Sequence, residues 1–258
     1  MIWVGVLGPV RTWRGDRPLP PGPPQRQLLL GRLALRAGTV VTRDELVDTL
    51  WERAPDSAVG IVHKHISVLR SVLEPGHRSG PGQLLVSVAG GYELRLPPSA
   101  VDATVFDNHC AQARSARAAG DLPRAVSELT AGLALWQGSP LAGLAGPWAQ
   151  AVRQQLYEAQ LVATEERADM LLALGRHTEL TSELTGLASA HPLREGLWQR
   201  LMLAHYRSGQ LGAALQAYQA ARRTLAGELG IDPGPVLRHL HQQILRHDPH
   251  LGPPPAPT

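Results

Sequence analysis

The sequence predicts a mainly α protein with a small β component, built in two parts, and three observations carry that prediction. Of the 258 residues 43% are apolar but only 4% aromatic. Cores must therefore be built from Leu, Ala and Val, a mix that favours helices. The Pro97-Pro98 step then divides the chain: before it short strand-like runs alternate with helical ones, and beyond it the pattern is almost wholly helical. Finally, glycines at Gly120, Gly138, Gly175, Gly209 and Gly230 punctuate the second part where helices should stop.

In the first part, Ile2–Leu7 has the apolar make-up of a strand. Val10–Arg14, the Gly15-Asp16 turn and Arg17–Leu19 form a hairpin pattern. Pro18–Pro24 holds five prolines in seven residues, and a segment so poor in backbone donors is a loop. A first helix is expected over Gln25–Arg36, ended by Gly38. A second begins at Thr42, where Glu45 three residues on completes a capping box, and runs to about Trp51. Asp56 or Ser57 can cap a third, lasting to Leu73 before Pro75-Gly76. Leu84–Val88, Ala89-Gly90-Gly91 and Tyr92–Leu96 close the part as a β-hairpin. Strands, three helices and a closing hairpin make the order of a winged helix-turn-helix, with the hairpin as the wing.

Beyond the boundary, Gly175 and Gly209 lie 34 residues apart, the period of a tetratricopeptide-type (TPR-like) helix pair. The segment Trp198-x2-Leu201, Ala214-x3-Tyr218 and Ala221 fits that pattern best; its small residues let two helices approach. A short, irregular all-α stack is expected. The division is thus 1–98, a winged-helix module, 102–251, a TPR-like helical domain, and a Pro-rich tail at 252–258 expected to be disordered.

Charge and composition narrow the function. Residues 1–98 hold 12 Arg/Lys against 8 Asp/Glu, and residues 99–258 hold 13 against 14. The excess positive charge sits in the first part, which points to a polyanion partner there and a protein partner for the rest. A lone Cys110 makes no internal disulfide, the apolar opening lacks a basic leader, and no apolar run approaches the roughly 18 residues of a membrane span. The expectation is a cytoplasmic protein without membrane contact. Catalysis is not expected. His63 and His65, like His239 and His241, are two apart on a helix and diverge by about 200°. No Cys-His metal set, phosphate loop or nucleophile elbow is present, so no metal and no cofactor are expected.

The third helix carries the sharpest signal. At 100° per residue, Val62, Ile66, Leu69 and Leu73 share one stripe, the core face. Lys64, Ser67, Val68 and Ser71 lie opposite and are the candidate base-reading residues. A major groove about 12 Å wide admits such a helix. Lys64 can donate to guanine or phosphate, the serines can pair with several bases, and Val68 can touch a thymine methyl. Candidate backbone contacts are Arg26 and Arg43 near helix starts, His63 and Arg70 flanking the face, and Arg78, Tyr92 and Arg95 about the wing. The Gly90-Gly91 tip is thin enough for a minor groove. A plain solvent-facing helix remains the alternative for the same pattern.

These residues resemble a known family. Gln25-Arg26-x-Leu28-Leu29, Val40-Val41-Thr42-x-Asp44-x-Leu46-x-Asp48-x-Leu50-Trp51, His65-Ile66-Ser67-x-Leu69-Arg70 and Gly91-Tyr92 look like the Streptomyces antibiotic regulatory protein family. In the second part Ala119-Gly120-Asp121, Leu174-Gly175-Arg176-His177, His191-Pro192-Leu193-Arg194-Glu195 and Glu228-Leu229-Gly230-Ile231-Asp232-Pro233-Gly234-Pro235 resemble its bacterial transcriptional activation domain. The resemblance implies an OmpR-type winged helix, akin to the output domain of a two-component system, joined to that helical domain. With no nucleotide-binding segment seen after it, the resemblance is to the small, two-domain type, which is the expectation. It implies a pathway-specific activator of secondary-metabolite genes. Such a protein binds direct repeats in double-stranded DNA as protomers side by side, and recruits RNA polymerase holoenzyme, through its σ factor. The competing function is a TPR-like protein-interaction scaffold with a vestigial DNA-binding domain.

Overall fold

A computed structural model describes residues 1–76 and 82–252. The chain divides into two compact units: residues 1–112 with 130–161, and residues 113–129 with 162 onward.

The first unit opens with a three-stranded antiparallel sheet of β1 (Ile2–Gly5), β2 (Arg11–Arg14) and β3 (Arg17–Leu19), in that order. The Gly15-Asp16 turn joins the predicted hairpin, with Arg14 opposite Arg17. Pro18 sits on the edge strand, where its missing N–H costs no ladder bond. Helix α1 (Pro24–Leu35) follows, then β4 (Val40–Thr42), α2 (Arg43–Leu50), α3 (Ala58–Leu73), β5 (Leu85–Val88) and β6 (Gly91–Leu94). Strand β4, only three residues long, was not predicted. It pairs with β6, so the wing belongs to a sheet of order β4-β6-β5. A side chain at Gly91 would place a Cβ 2.2 Å from the Val41 carbonyl oxygen, so only glycine lets β4 lie this close.

Helix α1 packs on α2, α3 and β6. Leu29, Leu33, Leu46, Val62, Ile66, Leu69, Leu85 and Leu94 form the buried core, and the α3 core stripe is the predicted one. The capping box also forms: Glu45 N–H donates to Thr42 Oγ1 at 3.1 Å, and Thr42 N–H to Glu45 Oε2 at 2.9 Å. At α3 the cap differs. Ser57 holds the N-cap position without a side-chain hydrogen bond.

The Pro97-Pro98 step leads through a 3-10 turn (Pro98–Ala100) to Val101, which bridges Val4, and on to α4 (Asp102–Ala118). Asp102, at the start of α4, is 2% exposed. Its carboxylate accepts N–H bonds from Val6 at 2.8 Å and Leu7 at 2.9 Å. Burial pushes this carboxyl up, against the pull of the N–H bonds from Leu7, Val6 and Ala103. On the other side, Gln137 N–H donates to the Leu7 carbonyl and Leu141 N–H to that of Val6. The apolar segment after β1 is thus held by residues beyond position 98.

Helices α5 (Leu122–Leu133) and α6 (Pro147–Ala173) carry residues of both units, as does α4. The second unit continues with α7 (Thr181–Ala190), α8 (Glu195–Arg207), α9 (Leu211–Leu229) and α10 (Pro235–Leu245). The predicted helix pair is α8–α9. Trp198, Leu201 and Met202 are buried on α8, and Ala214, Ala217, Tyr218, Ala221 and Leu225 on α9. Gly175 and Gly209 have φ of 77° and 74°. After each, the next N–H reaches back five residues, Arg176 to the Leu171 carbonyl and Gln210 to that of His205. The repeat spacing in the sequence is therefore a repeated left-handed helix stop. The tail from residue 253 lies outside the described residues.

Candidate nucleic-acid interface

Helix α3 presents three stripes. The core stripe is buried, and the opposite stripe holds Gly60, Lys64, Ser67 and Ser71, all exposed. Nothing lies within 4 Å of a Cβ built on Gly60, so this face is open as well as narrow. Among the described residues, neither Lys64 nor Ser67 has a hydrogen-bond or ion-pair partner. Ser71 donates its hydroxyl to the Val68 carbonyl one turn back at 2.8 Å, leaving its oxygen to accept. Val68 is half-buried at the margin of the face, whereas Val59, which was not singled out from the sequence, is 42% exposed in the first turn.

The third stripe, His63, Arg70 and Glu74, faces the wing. The His63 ring meets that of Tyr92 edge-on, centroids 6.2 Å apart. Arg70 donates to the Leu85 carbonyl at 3.0 Å and to the Ser87 hydroxyl at 2.9 Å. Glu74, at the C-cap, accepts from the N–H groups of Gln83, Leu84 and Leu85 at 2.8, 2.9 and 2.9 Å. From the other side Arg14 of β2 donates to the carbonyls of Val72 and Leu73, capping the last turn.

The expected backbone contacts are placed unequally. Arg43 is exposed at the first position of α2, its N–H donating to the Gly90 carbonyl of the wing turn at 3.1 Å. Arg26 folds over Gly22, where an added Cβ would lie 2.3 Å from a guanidinium nitrogen. Together with Lys64 it lowers the proton affinity of the half-buried His65, a shift caused first by burial. His65 meets Gln25 Oε1 at 3.2 Å, tying α3 to α1. Tyr92 differs from the expectation: it is 6% exposed, because its position in β6 points inward. Burial raises its phenol, opposed by the charges of Arg43 and Arg70. Arg70 likewise is occupied by the wing strand. Arg95, just past β6, pairs with Glu93 of that strand at 2.9 Å, and Arg78 lies outside the described residues.

Lys64 stands on the open helix face, Arg43 beside the wing turn and Arg26 over Gly22 near His65, with no acidic side chain paired to any of the three among the described residues. Among those residues no group of three or more His, Cys, Asp or Glu is placed to hold a metal ion, and no helix is long and apolar enough to cross a membrane. Sequence reasoning missed Arg14 and Glu74, since each acts on backbone groups remote in the chain. Glu74 directly after the last core residue of α3 was the one available hint.

Three helices and a closing hairpin define a winged helix-turn-helix, and the paired helices that follow make this the architecture of a bacterial transcriptional regulator. The family model for the C-terminal part of transcriptional regulatory proteins matches residues 21–94, and that for the bacterial transcriptional activator domain matches residues 101–245. The chain belongs to the Streptomyces antibiotic regulatory protein family. The regulatory protein DnrI of Streptomyces peucetius is 33% identical over 254 residues, covering 96% of this chain and 93% of DnrI. The regulatory protein AfsR of Streptomyces coelicolor is 48% identical over 249 residues, 96% of this chain. The chain spans only 24% of AfsR. Among solved structures, EmbR of Mycobacterium tuberculosis, in complex with a low affinity phosphopeptide, superposes with a TM-score of 0.90 at 34% identity. That match covers 96% of this chain and 66% of EmbR.

Proposed function

We propose that this transcriptional regulator is a sequence-specific DNA-binding activator of a secondary-metabolite gene cluster. Helix α3 lies in the major groove and the wing turn at Ala89-Gly90 reaches the adjacent minor groove. The observation that carries this reading is the outward stripe of α3. It holds the chain's only lysine, Lys64, with Ser67, unpartnered among the described residues, on a face with no bulky side chain. Lys64, Ser67, Ser71 and the rim residue Val68 read base edges. Arg26, Arg43 and His63 face phosphates. Two protomers sit side by side on direct repeats about one helical turn apart, which places both recognition helices on one side of the duplex. Residues 1–98 carry the DNA contacts. Residues 102–251, with no excess of positive charge and a stack of paired helices, hold RNA polymerase through its σ factor.

Lys64→Ala is expected to weaken specific binding by about 1–3 kcal/mol, while Arg43→Ala weakens all sequences alike and lowers the salt slope by about one. Equal losses on operator and random DNA in both variants overturn the assignment of the α3 face. In vitro transcription with holoenzyme tests recruitment. Full-length protein that fills its operator yet raises neither polymerase occupancy nor transcript overturns that part.

A further inference from the structure

The stripe of α3 that faces the wing has a role separate from the stripe that faces outward. Along one line of the helix, Glu74, Arg70 and His63 meet in turn the entry to β5, Leu85 and Ser87 of β5, and Tyr92 of β6. The spacing i, i+7, i+11 keeps them on one side. Glu74 makes the most of these contacts. One carboxylate accepts three consecutive backbone N–H groups, and without it Leu84 and Leu85, half-buried and buried, lose a bond at the point where the hairpin begins. Arg70 binds the same residue, Leu85, through its carbonyl. One peptide segment is therefore gripped by an anion on its N–H groups and a cation on its C=O.

We infer that Glu74 is a positioning residue that fixes the wing against the recognition helix, so that a side chain outside the outward stripe sets the geometry of the wing's contact with DNA. Arg70 completes the clamp from one turn earlier. This rests on the DNA-binding reading above. A hairpin alone is marginally stable, and the sheet partner β4 pairs with only three residues of β6, at its turn end. At the open end, where Arg95 N–H donates to the Leu84 carbonyl at 2.7 Å and Gly38 N–H to that of Leu94 at 2.9 Å, Glu74 supplies the side-chain hold on the N–H groups.

The test uses the full chain and two variants, Glu74→Ala and Glu74→Gln, the second retaining an acceptor oxygen. Amide exchange is followed at Leu84 and Leu85, and protection of operator DNA is mapped in both grooves. Exchange at these amides is expected to rise by about tenfold or more in Glu74→Ala and less in Glu74→Gln. Minor-groove protection beneath the wing should be lost while major-groove protection by α3 persists. A wild-type footprint left unchanged beneath the wing in both variants overturns this inference alone. The absence of any wild-type footprint overturns the DNA-binding reading with it, and the exchange data then report on the clamp by themselves. Uniform loss of protection in both grooves by Glu74→Gln also overturns it, because it shows a general loss of fold instead of a displaced wing.

Discussion

The winged-helix region and the α8–α9 helix pair solve the same packing problem by different means. In the first, most elements are short, strands of three or four residues and an eight-residue α2 set about the longer α1 and α3. Such pieces bury little apolar surface each, and their ends expose many backbone groups for their length. Side chains from remote positions satisfy those groups: Asp102 on Val6 and Leu7, Arg14 on the end of α3, Glu74 on the start of β5. In the second region the helices run to 13 and 19 residues, satisfy their own backbone between their ends, and bury Ala204, Ala214 and Ala221 fully. Clamps on remote backbone act there at the ends of α8, Glu195 on the Gly234 N–H and Arg207 on the carbonyls of Leu172 and Leu251, and in and around the pair side chains join side chains. Arg194 meets Glu165 at 2.6 Å, Arg200 meets Asp169 at 2.7 Å, and Arg167 pairs with Glu183. The difference teaches that strand segments need polar clamps along their backbone, whereas long helices need them only at their ends and otherwise the right volume at their contact.

The largest expected effect therefore falls on a clamp. Asp102→Ala should cost about 3 kcal/mol, since it strands buried N–H groups in the β1 segment. The urea midpoint of the first unit should fall, with the transition of the second unit barely moved. Equal loss in both would break the contrast. Asp102→Asn, which keeps an acceptor oxygen, should cost less.

In the helix pair the corresponding change is one of volume. Ala221→Leu adds bulk at a fully buried position and should cost about 2 kcal/mol through overpacking. The chemical denaturation curve checks it. Arg200→Met at the rim should cost under about 1 kcal/mol, because a half-exposed ion pair contributes little. A larger loss at Arg200 than at Ala221 would reverse the proposed division between volume and polar clamping.

A comparably small effect belongs to a local device. Thr42→Ala removes one half of the capping box and should cost about 1 kcal/mol. Here pH supplies a second check. The Thr42 backbone N–H, and after it Arg32, hold the Glu45 carboxyl below its ordinary value of 4.5. The folded state thus binds this proton less readily than the unfolded state. The stabilisation is present above pH 4.5 and is lost as pH falls through the lower folded value. Glu45→Gln, which removes the titrating carboxylate, should lower stability more at pH 6 than at pH 3, as melting at the two values will show.

By itself the sequence determined whatever depends on neighbours along the chain. The α3 core stripe, the capping box, the Gly15-Asp16 and Ala89-Gly90 turns, and the repeated stops at Gly175 and Gly209 are set by periodicity, capping chemistry and positive φ, all local properties. The outward stripe holding Lys64 and Ser67 was legible for the same reason, as the complement of an apolar stripe on a regular helix. Only the tertiary structure decided the rest. Strand β4 exists because β6 is there to pair with it, and three residues have no strand signal of their own. Tyr92 turned inward and Arg70 turned to the wing because their direction depends on which sheet face and which neighbour they meet. Asp102 and Glu74 became clamps because the chain brought distant, unpaired N–H groups to a carboxylate. The energy of that meeting lies in a contact across sequence, and no pattern of nearest neighbours encodes it.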